Sequence, residues 1–115
     1  MSEIYGIYEL TEIESYEDGK RTSERANAGM VTFTRKNQMS VVSGSNEWVM
    51  AYFGNFRIQG DSLNIDVKSC VVRELEGKTI TRKILRLGPE TLVIESGSTV
   101  SDKTAKLTWK KTFAL

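Results

Sequence analysis

The sequence predicts an all-β fold, a closed or nearly closed up-and-down antiparallel β-barrel of eight to nine strands. Three observations carry this. Turn signals recur at spacings of about ten residues, apolar and polar residues alternate between them, and no window shows a helical stripe. The turns are marked by Asp18-Gly19, Lys36-Asn37, Ser43-Gly44-Ser45-Asn46, Gly60-Asp61, Glu76-Gly77-Lys78, Gly88-Pro89 and Ser96-Gly97-Ser98.

In chain order, the runs between these signals place strands over 4–14, 28–35, 38–43, 48–59, 62–69, 70–76, 79–87, 91–96 and 104–113. In the fourth, Trp48, Met50, Tyr52, Phe56 and Ile58 share one parity with Gly54, against Val49, Ala51, Phe53, Asn55 and Arg57. A glycine inside a strand marks a bulge or bend, the device that turns a strand round a barrel corner. In the next runs Leu63, Ile65, Val67 and Val71 alternate with Asn64, Asp66 and Lys68. In the last, Ala105, Leu107, Trp109 and Phe113 alternate with Lys106, Thr108, Lys110 and Thr112. Closure removes the edges of such a sheet, and an eight-stranded interior is either filled or holds one small ligand. Residues 15–27 are the one long polar connection, readable as a loop at one mouth or as an irregular strand pairing.

Composition narrows the function classes. A chain of 115 residues is expected to form one domain. With 16 basic and 15 acidic side chains the net charge is +1, which makes no electrostatic case for nucleic acid or an anionic membrane. There is no histidine, so serine–histidine and cysteine–histidine catalysis, a histidine-ligated haem and most zinc sites are not expected. No cofactor or metal signature is present. Cys70 is the single cysteine and reads as a buried, inert thiol. The start Met1-Ser2-Glu3-Ile4-Tyr5-Gly6 lacks the basic and apolar parts of a signal peptide, and no apolar stretch approaches the ~18 residues of a spanning helix. A cytoplasmic location without membrane insertion is the expectation.

Several segments resemble bacterial lipocalin-like domains, small calycin-type barrels of about this length. Gly6-Ile7-Tyr8-Glu9-Leu10 is similar to their Gly-x-Trp-x-Leu first strand. Gly29-Met30-Val31-Thr32-Phe33-Thr34 with Gln38-Met39-Ser40 resembles their second hairpin, and Ala51-Tyr52-Phe53-Gly54-Asn55-Phe56 and Leu107-Thr108-Trp109-Lys110 resemble later strands. Tyr8 stands where that pattern prefers Trp, and Lys110 or Lys111 replaces the Arg expected over the ring. Asn37-Gln38 replaces a turn glycine, and Asn64-Ile65-Asp66-Val67 stands where many relatives carry histidines. The resemblance implies a barrel and, by analogy, a binding cavity.

The candidate ligand-binding residues are Tyr8, Met39, Met50, Tyr52, Phe56, Arg82 and Trp109. The rings at Tyr8, Trp48 or Tyr52, Phe56 and Trp109 either line a pocket or pack the core. Met30, Met39 and Met50 supply adaptable apolar lining or fill gaps. Arg82 shares parity with Ile80 and Ile84, but Leu85 and Leu87 lie on the other parity, so it points inward or to solvent. An inward arginine requires a carboxylate or an anionic ligand group. Glu74, Glu76, Glu95 and Asp66 read as a solvated strand face. The expected function is non-enzymatic binding of a small apolar or amphipathic ligand in a cavity touched by Tyr52 and Met50. A filled barrel acting through its surface or as a homodimer is one alternative, and a barrel-type cyclase or isomerase is another.

Overall fold

The computed structural model describes residues 3–17, 20–24, 28–44, 49–97 and 104–115. Nine strands run in sequence order: β1 (Gly6–Glu17), β2 (Lys20–Glu24), β3 (Ala28–Phe33), β4 (Gln38–Gly44), β5 (Val49–Gln59), β6 (Ser62–Cys70), β7 (Thr79–Leu87), β8 (Thr91–Gly97) and β9 (Thr104–Ala114). Every pairing is antiparallel, and β1 pairs with β9 from Gly6 to Tyr16, which closes the sheet. Since β9 occupies one edge of β1 throughout, β2 and β3 share the other edge, at Ile13–Glu17 and Gly6–Glu9 respectively. They act as one interrupted strand, so the closed barrel has eight strands around its circumference.

Two expectations about elements need correction or resolution. The described parts of 15–27 form a strand pairing, with Glu17 opposite Lys20 and Ile13 opposite Glu24. Residues 70–76 are not a strand. β7 begins opposite Asp66, so the chain beyond Cys70 has no neighbour on that side and collapses into a single 3-10 turn at Arg73–Leu75. The turn is closed by Gly77, whose φ of 80° suits glycine and whose N–H donates to the Val67 carbonyl at 2.8 Å. Among the described residues this is the sole helical element, and no helix is long and apolar enough to cross a membrane. At the β3–β4 turn, Asn37 takes φ 62°, a left-handed conformation that asparagine tolerates, so no glycine is needed there.

Bulges decide which side chains face inward. The β5–β6 register runs from Phe53–Ser69 to Gly54–Val67, leaving Lys68 as an extra residue in β6. One extra residue reverses the parity of everything beyond it. Leu63, Ile65 and Val67 therefore face inward below the bulge, Cys70 faces inward above it, and Val71 is turned out, 56% exposed, against the simple alternation. The bulge needs a glycine opposite it, because a Cβ on Gly54 would collide with the Asp66 carbonyl oxygen. In β7 the register skips Leu85, between Ile84–Ile94 and Arg86–Val93. Ile80, Arg82 and Ile84 share the inner face before the bulge, and Leu87 regains it afterwards. In β9 an extra Thr112 lies between Lys111–Tyr8 and Phe113–Ile7, and Phe113 is likewise turned out, 61% exposed.

One end of the barrel is filled. Tyr8, Phe33, Leu63, Ile65 and Leu92 are almost completely inaccessible, with Phe56, Met39 and Trp109 close behind. Phe33 packs edge-on against Tyr8 at 5.9 Å and against Phe56 at 5.1 Å, geometries that favour aromatic pairs beyond their buried area. The segment before β1 closes this end: Ile4 is buried, and the Tyr8 hydroxyl donates to its carbonyl at 2.8 Å. Burial pushes the Tyr8 phenol up to about 12. Lys111 lies over the Tyr8 ring at 5.5 Å and donates to the Glu3 carbonyl at 2.8 Å, so it is Lys111 and not Lys110 that covers the ring. Arg35 straps the same end, pairing with Glu3 at 2.9 Å, donating to the Leu115 carbonyl at 3.0 Å and stacking on Tyr5 at 5.0 Å.

Candidate functional site

The opposite end is where β5 and β9 enter the barrel and β6 leaves it. Met50 and Tyr52 on β5 and Ile80 at the start of β7 are only half-buried there, and further along the inner wall Arg82 and Ile84 on β7, Ile94 on β8 and Leu107 on β9 are half-buried as well. The backbone register spreads them along the wall, with the Ile84 N–H donating to the Asp61 carbonyl of the β5–β6 turn, at the end of β6 away from Cys70. Ile84, Ile94, Leu107 and Ile13 form one continuous cross-strand row, and residues opposite each other in an antiparallel pair share a face. Ile80 lies opposite Ile65 and Arg82 opposite Leu63, both inner-face residues 1% exposed, so Arg82 leaves the wall toward the interior.

The polar groups at this end are few. Ser43, buried on β4, lies opposite Met50, and Cys70 lies opposite Tyr52. The Cys70 sulfur accepts from the Val72 N–H at 3.3 Å, and the Cys70 N–H donates to Glu76 Oε1 at 3.3 Å. These bonds tie the end of β6 to the 3-10 turn, whose Leu75 packs on the core. Burial pushes the Tyr52 phenol up from its ordinary value; the Arg82 cation opposes the shift and Cys70 adds to it. Tyr52 is thus a neutral hydrogen-bond donor next to a cation. Arg82 donates to the Thr81 carbonyl at 3.4 Å, and no described carboxylate pairs with it. Outside the barrel the carboxylates are engaged differently. Asp66 accepts from Thr79 at 2.6 Å and pairs with Arg57, and these contacts hold its carboxyl below the usual range.

The seven candidates divide between the two ends. Met50 and Tyr52 stand at the half-open end and Arg82 on the inner wall opposite Leu63, whereas Tyr8, Met39, Phe56 and Trp109 are buried in the filled part. The Trp109 indole N–H is buried without a hydrogen-bond partner. Met30 does not line the interior: it faces outward opposite Val42 and is 51% exposed. Glu74 sits on the 3-10 turn, not on a strand face. Trp48 lies outside the described residues. A hollow of about 550 Å³ touches Tyr52 but lies on the outer face of β4–β6, lined by Val42, Ala51, Phe53 and Val71, and Met50 is not part of it. The sequence reading missed Ile94 as part of the inner wall; the Ile84–Ile94 pairing that places it there depends on register.

No protein-family model matches the chain, and no curated protein matches it in sequence. Among solved structures it is similar to a lipocalin-like protein from Bacteroides uniformis, at 18% identity and a TM-score of 0.63, over 94% of this chain and 97% of that one. It is also similar to an uncharacterized protein from Bacteroides eggerthii, at 14% identity and a TM-score of 0.59, over 95% of this chain and 99% of that one. At these identities the likeness is one of fold, and the fold is a lipocalin-like closed barrel, in agreement with the resemblance carried by the sequence segments.

Proposed function

We propose that the protein binds a small amphipathic organic molecule at the half-open end of its barrel, without catalysing a reaction. One observation carries the reading. The inner face is packed to near-zero exposure at Tyr8, Phe33, Leu63, Ile65 and Leu92 and left half-exposed elsewhere, where apolar side chains share the interior with a cation and a phenol. Sites for small organic ligands combine this apolar lining with a few convergent polar groups. The aliphatic side chains of Ile80 and Leu107 take the apolar part, Met50 adapts to its shape, and Tyr52 and Arg82 meet the polar part. The reading needs no cofactor.

A second reading rests on the outer face, where Met30, Val42, Phe53 and Val71 form an exposed apolar stripe across β3–β6. Apolar surface of this kind serves protein contacts, including contacts between two copies of the chain. Calorimetric titration with 1-decanol separates the two readings. Wild-type protein takes up one decanol per chain, Ile80→Trp abolishes uptake by filling the interior, and Phe53→Ser leaves it intact. Uptake lost in Phe53→Ser and retained in Ile80→Trp would move the function to the outer face.

A further inference from the structure

We propose, building on that reading, that the ligand carries a negative charge at its polar end, and that Arg82 and Tyr52 together receive it inside the barrel. Arg82 stands on the inner face by register, opposite Leu63 and one pair along from Ile80–Ile65. Its chain neighbours on that face are isoleucines, and its described hydrogen bond is a long one, 3.4 Å to the Thr81 carbonyl. The other structurally engaged arginines differ. Arg57 has Asp66, Arg35 has Glu3, and both stand on the outside with side chains about half exposed. A cation drawn into an apolar interior without a carboxylate is unfavourable unless something of opposite charge joins it. The guanidinium offers a planar fork of donors that matches two oxygens of a carboxylate or of a phosphate or sulfate ester.

Tyr52 supplies the second donor. It stands on the inner face of β5 opposite Cys70, further along the barrel than Arg82, which stands on the inner face of β7 opposite Leu63. The two face the same interior from different parts of the wall, and the Arg82 cation acts on the Tyr52 phenol there. The Tyr52 hydroxyl has no described hydrogen-bond partner, and burial keeps it protonated, so it donates to an anion and does not repel it. Met50, Ile80, Ile84 and Ile94 present only apolar surface to the rest of the molecule. An acidic head with an aliphatic or aromatic tail satisfies both parts; a cationic amphiphile would meet Arg82 as a like charge.

The test compares decanoate, 1-decanol and decylammonium by calorimetry, each below its aggregation limit. Wild-type protein should bind decanoate about tenfold or more tightly than decanol, the scale of a charge-assisted hydrogen-bonded pair, and decylammonium more weakly than either. Arg82→Met should keep decanol binding and lose the preference for decanoate. Arg82→Lys should restore part of it, and Tyr52→Phe should reduce it with the charge intact. Equal affinity for decanoate and decanol in the wild type, or a preference that survives Arg82→Met, would overturn the anionic assignment and leave the binding function standing. Failure of all three probes to bind would overturn both. The wild-type comparison stands by itself if a variant does not fold.

Discussion

Replacing Gly54 by alanine tests the bulge that sets the inner face of β5 and β6. The added Cβ would collide with the Asp66 carbonyl oxygen and lie 2.9 Å from its carbon and 3.2 Å from the Val67 Cα. All three are backbone atoms of the paired strand, so no side chain can swing away. Relief requires β6 to shift against β5 where Lys68 is already extra, which disturbs the Gly54–Val67 pairing and the inward set of Val67 and Cys70. Gly54 does not have a left-handed φ, so the penalty is steric; restricting the unfolded chain would by itself stabilise the variant slightly. Forced overpacking against backbone should cost about 3 kcal/mol, at the upper end of the usual range. For a domain of this size that is a fall of roughly 12 °C in Tm. Gly60→Ala is the control. It has φ 62° and open space around its Cβ, so it should lose only about 1 kcal/mol from conformation. Thermal and urea melts of both variants decide the matter. A Gly54→Ala protein as stable as the wild type, or less affected than Gly60→Ala, would refute the claim that close strand approach shapes this wall.

Other perturbations address the two ends of the barrel. The Tyr8 phenol is raised from 10.0 to about 12, so its contribution is fully present below pH 10 and lost as pH climbs through 12. A loss of about 2 kcal/mol over that window is expected from urea melts, and Tyr8→Phe should flatten it. Lys111→Met removes both the cation over Tyr8 and the bond to the Glu3 carbonyl, and should lower stability by about 1 kcal/mol, with Lys111→Arg close to wild type. Arg82→Met should change ligand-free stability by less than about 1 kcal/mol, or raise it, because no described carboxylate is stranded by its removal; a buried ion pair would instead show a loss of about 3–5 kcal/mol in chemical denaturation.

The barrel was legible because turn residues and period-two alternation are local properties. They place the long β5 strand and single out Gly54 without reference to any partner strand. The inner face was less legible, and the errors fall where a strand carries an extra residue. Val71 and Phe113 continue the apolar alternation of their strands, yet both are exposed, because Lys68 and Thr112 reverse the parity ahead of them. Arg82 was ambiguous for the same reason, since Leu85 and Leu87 contradicted Ile80 and Ile84 until the β7–β8 register showed Leu85 as the bulge. A bulge is defined by the partner strand, so its position is not written in the strand that contains it. The candidate site carried a further difficulty: Tyr8, Phe56 and Trp109 share the inward face with Tyr52. Parity tells inward from outward, but only burial distinguishes the filled end from the half-open one.

Methyl-resolved NMR of the labelled protein titrated with decanoate tests the central claim most directly, because it reports on both ends and the outer face at once. Binding at the half-open end predicts shift changes concentrated at Met50, Ile80 and Leu107, with Val31, Leu63 and Leu92 in the filled part nearly still. Changes confined to Met30, Val42 and Val71 on the outer face, or no changes at any methyl at saturating decanoate, would contradict it.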